Sequence, residues 1–290
     1  MNVLAGSCRK IGMKPPHAVN HHKSTLWFPC IATRCTLAAV KHAIKRALQM
    51  VLPNGAINHL RATRSAIKTA ASAYGVYSRT CPICSYHGRF LADGFPTRLD
   101  CMCPSCGSVE RHRLLKLWLD AHGNLITDKS VLHFAPERSI SKIIRPLAAK
   151  YLTADISNEA ADILLDLHSL SLPDRSYEVV ICSHVLEHVD DKRALSELFR
   201  VIRPGGFAIL MFPVIEGWDR TYENPEVSTS EERLLHFGRA DHVRYFGRDV
   251  RDRIRSAGFE IDEYTAEEPL VHQYGLMRGE KIFIATRPVA

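Results

Sequence analysis

The 290-residue sequence predicts an α/β fold, a sheet with helices on both faces, preceded by a small cysteine module and basic helices. Three observations carry this. Residues 129–290 alternate short apolar runs with helix-like runs, the pattern of a sheet covered on both sides. The longest apolar runs, Val179 to Cys182 and Phe207 to Phe212, fall far below the roughly 20 residues that span a bilayer. With 46% hydrophobic and 24% charged residues, the composition excludes collagen-like, mucin-like and wholly disordered readings.

Three regions follow in order. Residues 1–75 are basic and mixed. Residues 1–92 contain no Asp or Glu and hold 13 Lys and Arg, whereas residues 93–290 set 25 bases against 31 acids. Pro15-Pro16 and Asn20-His21-His22 read as loop. Ala38 to Leu52 reads as a helix, with Val40, Ile44, Leu48 and Val51 at spacings of three and four, ended by Pro53-Asn54-Gly55. Ile57 to Ala73 is a second candidate basic helix. Such an arm would pack on its own domain or meet an anionic membrane surface, and it also fits an organelle transit segment. No secretory signal pattern is visible, so a cytoplasmic protein, peripheral at a membrane, is expected.

Residues 76–112 are the cysteine module. Five of the nine cysteines lie within 26 residues. Cys81-Pro-Ile-Cys84 and Cys103-Pro-Ser-Cys106 form two C-x2-C pairs eighteen residues apart. That spacing suits a four-thiolate zinc site, in which each tight turn offers two ligands to one tetrahedral ion. A site closed by four thiolates has no open position, so a structural role is expected. Gly88 and Gly107 would let the turns reverse, and Cys101 and His87 are substitute ligands. An odd cysteine count and the metal-like spacing argue for a reducing compartment over a disulfide scaffold.

Residues 113–290 form the main domain. Residues 113–122 read as a joining helix. The strand candidates are Ser130 to Phe134, Tyr151 to Ala154, Ile163 to Asp166, Tyr177 to Ser183, Gly206 to Phe212, Phe259 to Tyr264 and Lys281 to Thr286. Ser139 to Lys150, Lys192 to Ile202 and Arg248 to Ala257 are helix candidates. The second has Leu195, Leu198, Phe199 and Ile202 on one face and stops at Pro204-Gly205-Gly206; the third stops at Gly258. Gly217 to Glu232 reads as a long polar insertion.

The stretch from Tyr151 to Pro213 carries the chemistry. A strand ends in Asp155, an acid placed to accept both hydroxyls of a ribose. Asp166-Leu167, Leu172-Pro173-Asp174, Tyr177 to His188 (YEVVICSHVLEH) and Leu198 to Phe207 (LFRVIRPGGF) follow. This succession resembles the class I S-adenosylmethionine-dependent methyltransferases, especially their small-molecule branch. The resemblance implies a Rossmann-like sheet of seven strands with the last antiparallel, and S-adenosylmethionine across the carboxyl ends of the strands. It implies that Asp155 and Ile156 meet the ribose, that Asp166 and Leu167 lie beside the adenine, and that Ser183 and His184 line the methionine end. Where the family has an acid and G-x-G-x-G, this sequence has Val131-Leu-His-Phe-Ala-Pro-Glu-Arg-Ser139. His133, Phe134, Ala135, Pro136 and Glu137 would then wall the cofactor, with Glu137 as a partner for its ammonium group.

Methyl transfer needs an aligned nucleophile and a group to take its proton. His184 and His188 follow the fourth strand, and His236, Asp241, His242, Arg244 and Tyr245 crowd the loop after the insertion. His184 and His242 are the expected catalytic residues, and Arg244 would hold an anionic group of the acceptor. The expected acceptor is a small molecule or an envelope saccharide or lipid precursor. The alternatives are an RNA methyltransferase that uses the module and basic arm, and a cofactor-free binding scaffold. No Asn-Pro-Pro-Tyr-type motif follows the fourth strand, and no basic platform interleaved with aromatics is evident, so nucleic acid is the less favoured partner.

Overall fold

Continuous apolar runs make the centre of a sheet that is buried on both faces. In the computed structural model, which describes residues 74–94 and 97–289 with Ala56, His59, Thr63 and Ile67, the central strands of a seven-stranded sheet follow that rule, and its edge strands are more exposed. The seven are β4 (Ser130–Phe134), β5 (Lys150–Asp155), β6 (Ile163–Leu164), β7 (Tyr177–Ser183), β8 (Ile202–Met211), β11 (Glu260–Thr265) and β12 (Lys281–Thr286). Their order is β11-β12-β8-β7-β4-β5-β6. All pairs are parallel except those of β12, which runs antiparallel between β8 and β11. The expected seven-stranded sheet with an antiparallel last strand is therefore present. The chain reverses its direction of winding between β4 and β7, and in such sheets a crevice opens there at the carboxyl ends.

Residue alternation along β7 and β8 feeds two apolar layers. Val180, Cys182, Ala208 and Leu210 meet α3 (Asp191–Val201) and α5 (Val250–Ser256) through Leu195, Leu198 and Ile254. Val179, Ile181, Ile209 and Met211 meet α1 (Glu110–His122), α2 (Arg138–Ile144) and α6 (Leu270–Tyr274) through Leu115, Trp118, Ile140 and Val271. Asp190 caps α3 by accepting from the backbone N–H groups of Lys192 and Arg193. Pro204-Gly205-Gly206 ends the helical reading but lies inside β8, at a register shift against β7. A side chain at Gly206 would come within 2.5 Å of the Glu178 carbonyl oxygen, so only glycine fits.

The cysteine module is a three-stranded antiparallel sheet, β1 (Tyr74–Thr80), β2 (His87–Asp93) and β3 (Arg98–Met102). The polar insertion is structured. β9 (Tyr222–Glu223) pairs with β10 (Arg244–Tyr245), and α4 (Ser230–Phe237) lies between them. Thr229 and Glu232 form a reciprocal capping box at the start of α4, and Gly238 closes it in the left-handed region.

Of the second basic helix, His59, Thr63 and Ile67 are helical; the remainder, like Ala38 to Leu52, lies outside the described residues. Residues Ala66–Ala290 form one unit, so the module and the sheet are not separate bodies. Among the described residues, no helix is long and apolar enough to cross a membrane.

Candidate active site

The turn after β4 decides what the crevice can hold. Ala135 takes φ +45°, and its N–H donates to the Ala154 carbonyl at 2.9 Å. This left-handed conformation is where glycine is ordinarily used, and alanine, with the smallest side chain after it, fills it here. The chain then enters α2 with Glu137 at the cap position.

Glu137 is held by neighbouring side chains. Its carboxylate accepts from Ser183 Oγ at 3.0 Å and from His133 Nε2 at 3.3 Å, with His112 Nε2 at 3.6 Å and Arg111 Nε at 3.7 Å. His133 Nδ1 accepts from the Tyr151 hydroxyl at 2.7 Å. Burial opposes charge on Glu137, but the His133 hydrogen bond and the adjacent His133 and His112 imidazoles override it and hold the carboxyl at about 2. Burial pushes His112 down to about 4, so it is neutral at pH 7. His133, Pro136, Glu137 and Ser183, expected on the cofactor, do not line the cavity described next. His133 and Ser183 are buried, and both spend their hydrogen bonds on fixing Glu137 behind the wall.

A cavity of about 240 Å³ lies at the ends of β4 and β5. Phe134, Ala135, Asp155, Ile156, Asp166 and Leu167 wall it, and His184 and His188 stand at one side. Asp155 Oδ1 accepts from the backbone N–H groups of Ser157 and Asn158, each at 2.9 Å, which orients the carboxylate and leaves Oδ2 for a ligand. Asp166 Oδ1 accepts from His168 N and Nδ1, at 2.9 and 2.7 Å. His168 Nε2 accepts from Asp190 N, so the ring is locked between a helix cap and the cavity edge. Apolar walls with two oriented carboxylates suit a nucleoside, whose base needs apolar faces and whose ribose needs acceptors.

A second cavity, of about 440 Å³, adjoins the first and shares His184 and His188 with it. Its walls are polar and include Arg111, Glu187, Arg239, His242 and Glu280. His184 sits at φ +54° with its N–H donating to the Met211 carbonyl at 2.7 Å, so the end of β8 sets its position. Its Nδ1 lies 3.1 Å from Glu187 Oε1 and its Nε2 3.9 Å from Glu280 Oε1. Burial would lower the pKa of this imidazole, but the Glu187 and Glu280 carboxylates prevail and raise it to about 9. His242 is buried, and that burial lowers its pKa, so its ring is neutral at pH 7. The His188 and His242 rings meet edge-on at 4.7 Å. Arg244, expected on the acceptor, is instead buried against Asp191, Glu223 and the carbonyls of Leu186 and Val189. It fastens the insertion to α3, and Arg239 is the arginine of that loop that reaches the cavity.

Glu187, Glu280, Arg111 and Arg239 were not singled out from the sequence. Glu187 lies within the Leu186-Glu187-His188 string, so its motif was visible and its role was not. Glu280 and Arg111 carry no local signal, because only the packing of the β12 approach and α1 over the crevice brings them in.

In the module, the four sulfur atoms of Cys81, Cys84, Cys103 and Cys106 lie within 4.8 Å of one another. Cys81 Sγ is 3.6 Å from Cys106 Sγ, and Cys84 Sγ is 3.6 Å from Cys103 Sγ. A disulfide would need about 2.05 Å. A tetrahedral ion with Zn–S bonds of about 2.3 Å sets sulfur–sulfur edges near 3.8 Å, so the donor set fits zinc. The two turns match: Ser85 N donates to Cys81 O and Gly107 N to Cys103 O, both at 2.9 Å. The reversing residue of the first turn is Ser85, at φ +61°, and not Gly88; Gly107, at φ +71°, serves the second as expected.

No curated protein matches the chain. Among solved structures, an S-adenosylmethionine-dependent methyltransferase from Mesorhizobium loti is 15% identical, with 59% of this chain and 96% of that one covered and a TM-score of 0.44. The YcgJ protein of Bacillus subtilis is 13% identical, over 61% and 99% of the two chains, with a TM-score of 0.42. The 1,6-didemethyltoxoflavin-N1-methyltransferase of Burkholderia thailandensis is 15% identical, over 58% and 75%, with a TM-score of 0.41. Residues 138–210, from the start of α2 into β8, match the family described as a methyltransferase domain.

Proposed function

We propose that the protein is an S-adenosylmethionine-dependent methyltransferase whose acceptor is a polar small molecule or a saccharide or lipid precursor bearing polar groups. The observation that carries this reading is the pair of adjoining cavities, one shaped for a nucleoside and one polar, that meet at His184 and His188. When bound, S-adenosylmethionine supplies a methyl group on a good leaving group. The protein has then to orient a nucleophile and receive its proton. Asp155 Oδ2 would hold the ribose, and Asp166 and Leu167 would border the adenine. His242, neutral at pH 7, is the proton acceptor in this reading. His184, a cation at pH 7, positions the acceptor and balances Glu187 and Glu280. The four cysteines would hold a structural zinc ion. The acid-free residues 1–92 are the segment that would meet an anionic surface, on a protein that works in the cytoplasm.

The test is a calorimetric titration with S-adenosylhomocysteine. Wild type should bind, and Asp155→Ala should bind at least tenfold more weakly, since a charge-assisted hydrogen bond contributes about 1.5–3 kcal/mol. No heat with the wild-type protein would leave the cofactor-free scaffold.

A further inference from the structure

Glu187, His188 and His242 converge on the wall of the polar cavity. One candidate ligand atom from each lies within 4.8 Å of the others. All three residues line that cavity, so an ion held by them would keep positions open toward a bound molecule. We propose that these residues form a divalent transition-metal site of the two-histidine, one-carboxylate kind.

Two further observations point the same way. The first concerns unsatisfied atoms. Glu187 is 1% exposed, yet neither of its carboxylate oxygens has a hydrogen-bond partner, and His242 Nδ1 is buried without one. His184 Nδ1 approaches Glu187 Oε1, but without the alignment of a hydrogen bond, and leaves Oε2 uncovered. Buried carboxylates are ordinarily hydrogen-bonded or bound to metal. The second concerns the outer partner. His188 Nδ1 stands 2.9 Å from the Asp241 carbonyl oxygen. A carbonyl can only accept, so Nδ1 carries the proton and Nε2 keeps its lone pair. A histidine that ligates a metal is ordinarily held this way. Asp241 precedes His242, so one loop sets the second ligand and orients the first.

The ion belongs to the Zn²⁺, Fe²⁺ and Co²⁺ class, which imidazole and carboxylate suit together. It would occupy His242 as a ligand, and the acidity of an acceptor hydroxyl at its open position would rise. In that case the ion replaces His242 as the group that favours loss of the acceptor proton. The inference thus deepens the methyltransferase reading, but metal binding does not require it.

The experiment is a Co²⁺ titration of zinc-loaded, full-length protein, read by visible d–d absorption. One further equivalent should bind, with a spectrum free of thiolate charge-transfer bands. His242→Gln and the isosteric Glu187→Gln should each weaken that binding at least tenfold. His242 does not border the nucleoside cavity, so His242→Gln should keep its heat with S-adenosylhomocysteine, which shows that the variant is folded. Uptake of Co²⁺ only into the thiolate site overturns the proposal, as does equal affinity in wild type and both variants. Failure of the methyltransferase reading would appear separately, as absent S-adenosylhomocysteine heat.

Discussion

Ala135 shows how one residue sets the limit of the nucleoside cavity. Its φ of +45° carries a penalty of roughly 1–2 kcal/mol for a residue with a side chain. Its backbone is committed through the N–H bond to Ala154, so the turn cannot relax away. Ala135→Gly should therefore keep the fold and the affinity for S-adenosylhomocysteine within about threefold. Ala135→Val adds a branched carbon to a left-handed residue on the cavity wall, which is among the least tolerated combinations. It should weaken the same binding at least tenfold. Calorimetry on both variants checks this; unchanged binding in Ala135→Val would mean that the ligand sits elsewhere. The backbone role of glycine at this turn is thus met by a different residue, while the charge at Glu137 is spent on the protein itself.

At the scale of elements, the central strands were legible because buried parallel strands are continuous apolar runs: Ser130 to Phe134, Tyr177 to Ser183 and Lys281 to Thr286 fall where the sequence predicts. The helix α4 was missed because its apolar face is short and its surroundings are polar, although Thr229 and Glu232 spell a capping box. The strands of the module were missed because they are largely exposed, with a single buried residue in each, so no apolar run marks them. The walls of the polar cavity were missed for a different reason. They depend on the first turn of α1 reaching the crevice, which brings Arg111 to the wall, and no local pattern reports that approach. His112 on the same turn gives a test of its packing. Its folded pKa of about 4 lies below the ordinary 6.5, so the unfolded chain binds more protons between those values. The stability conferred by keeping it neutral is complete above pH 6.5 and lost as pH falls toward 4, a loss of roughly 3 kcal/mol for a group this buried. Urea midpoints of wild type and His112→Gln should therefore converge as the pH is lowered from 7.5 to 4.5. A constant gap across that range would mean that His112 is solvated and that the first turn of α1 is not packed against Glu137.

For the molecule as a whole, the cysteine cluster is coupled to the sheet in part through a buried cation. Arg113 is fully buried, and its guanidinium donates to the carbonyls of Ser108 and Cys101 in the module and of Tyr274 and Gly275 at the end of α6. It also lies over the Phe90 ring at 4.6 Å. No carboxylate pairs with it among the described residues. Four thiolates around one zinc ion carry a net charge of −2, and a buried guanidinium nearby offsets part of it. Arginine is rarely buried, and its five donors in a fixed fork are what allow four carbonyl bonds at once here. Metal loss would remove the charge that Arg113 faces and loosen both sets of carbonyls together. Calorimetric unfolding should therefore show one transition with metal bound, and chelation should move that whole transition down by several degrees. An early, separate transition for the module, with the main transition unmoved, would show that the cysteine cluster folds on its own and that Arg113 transmits nothing.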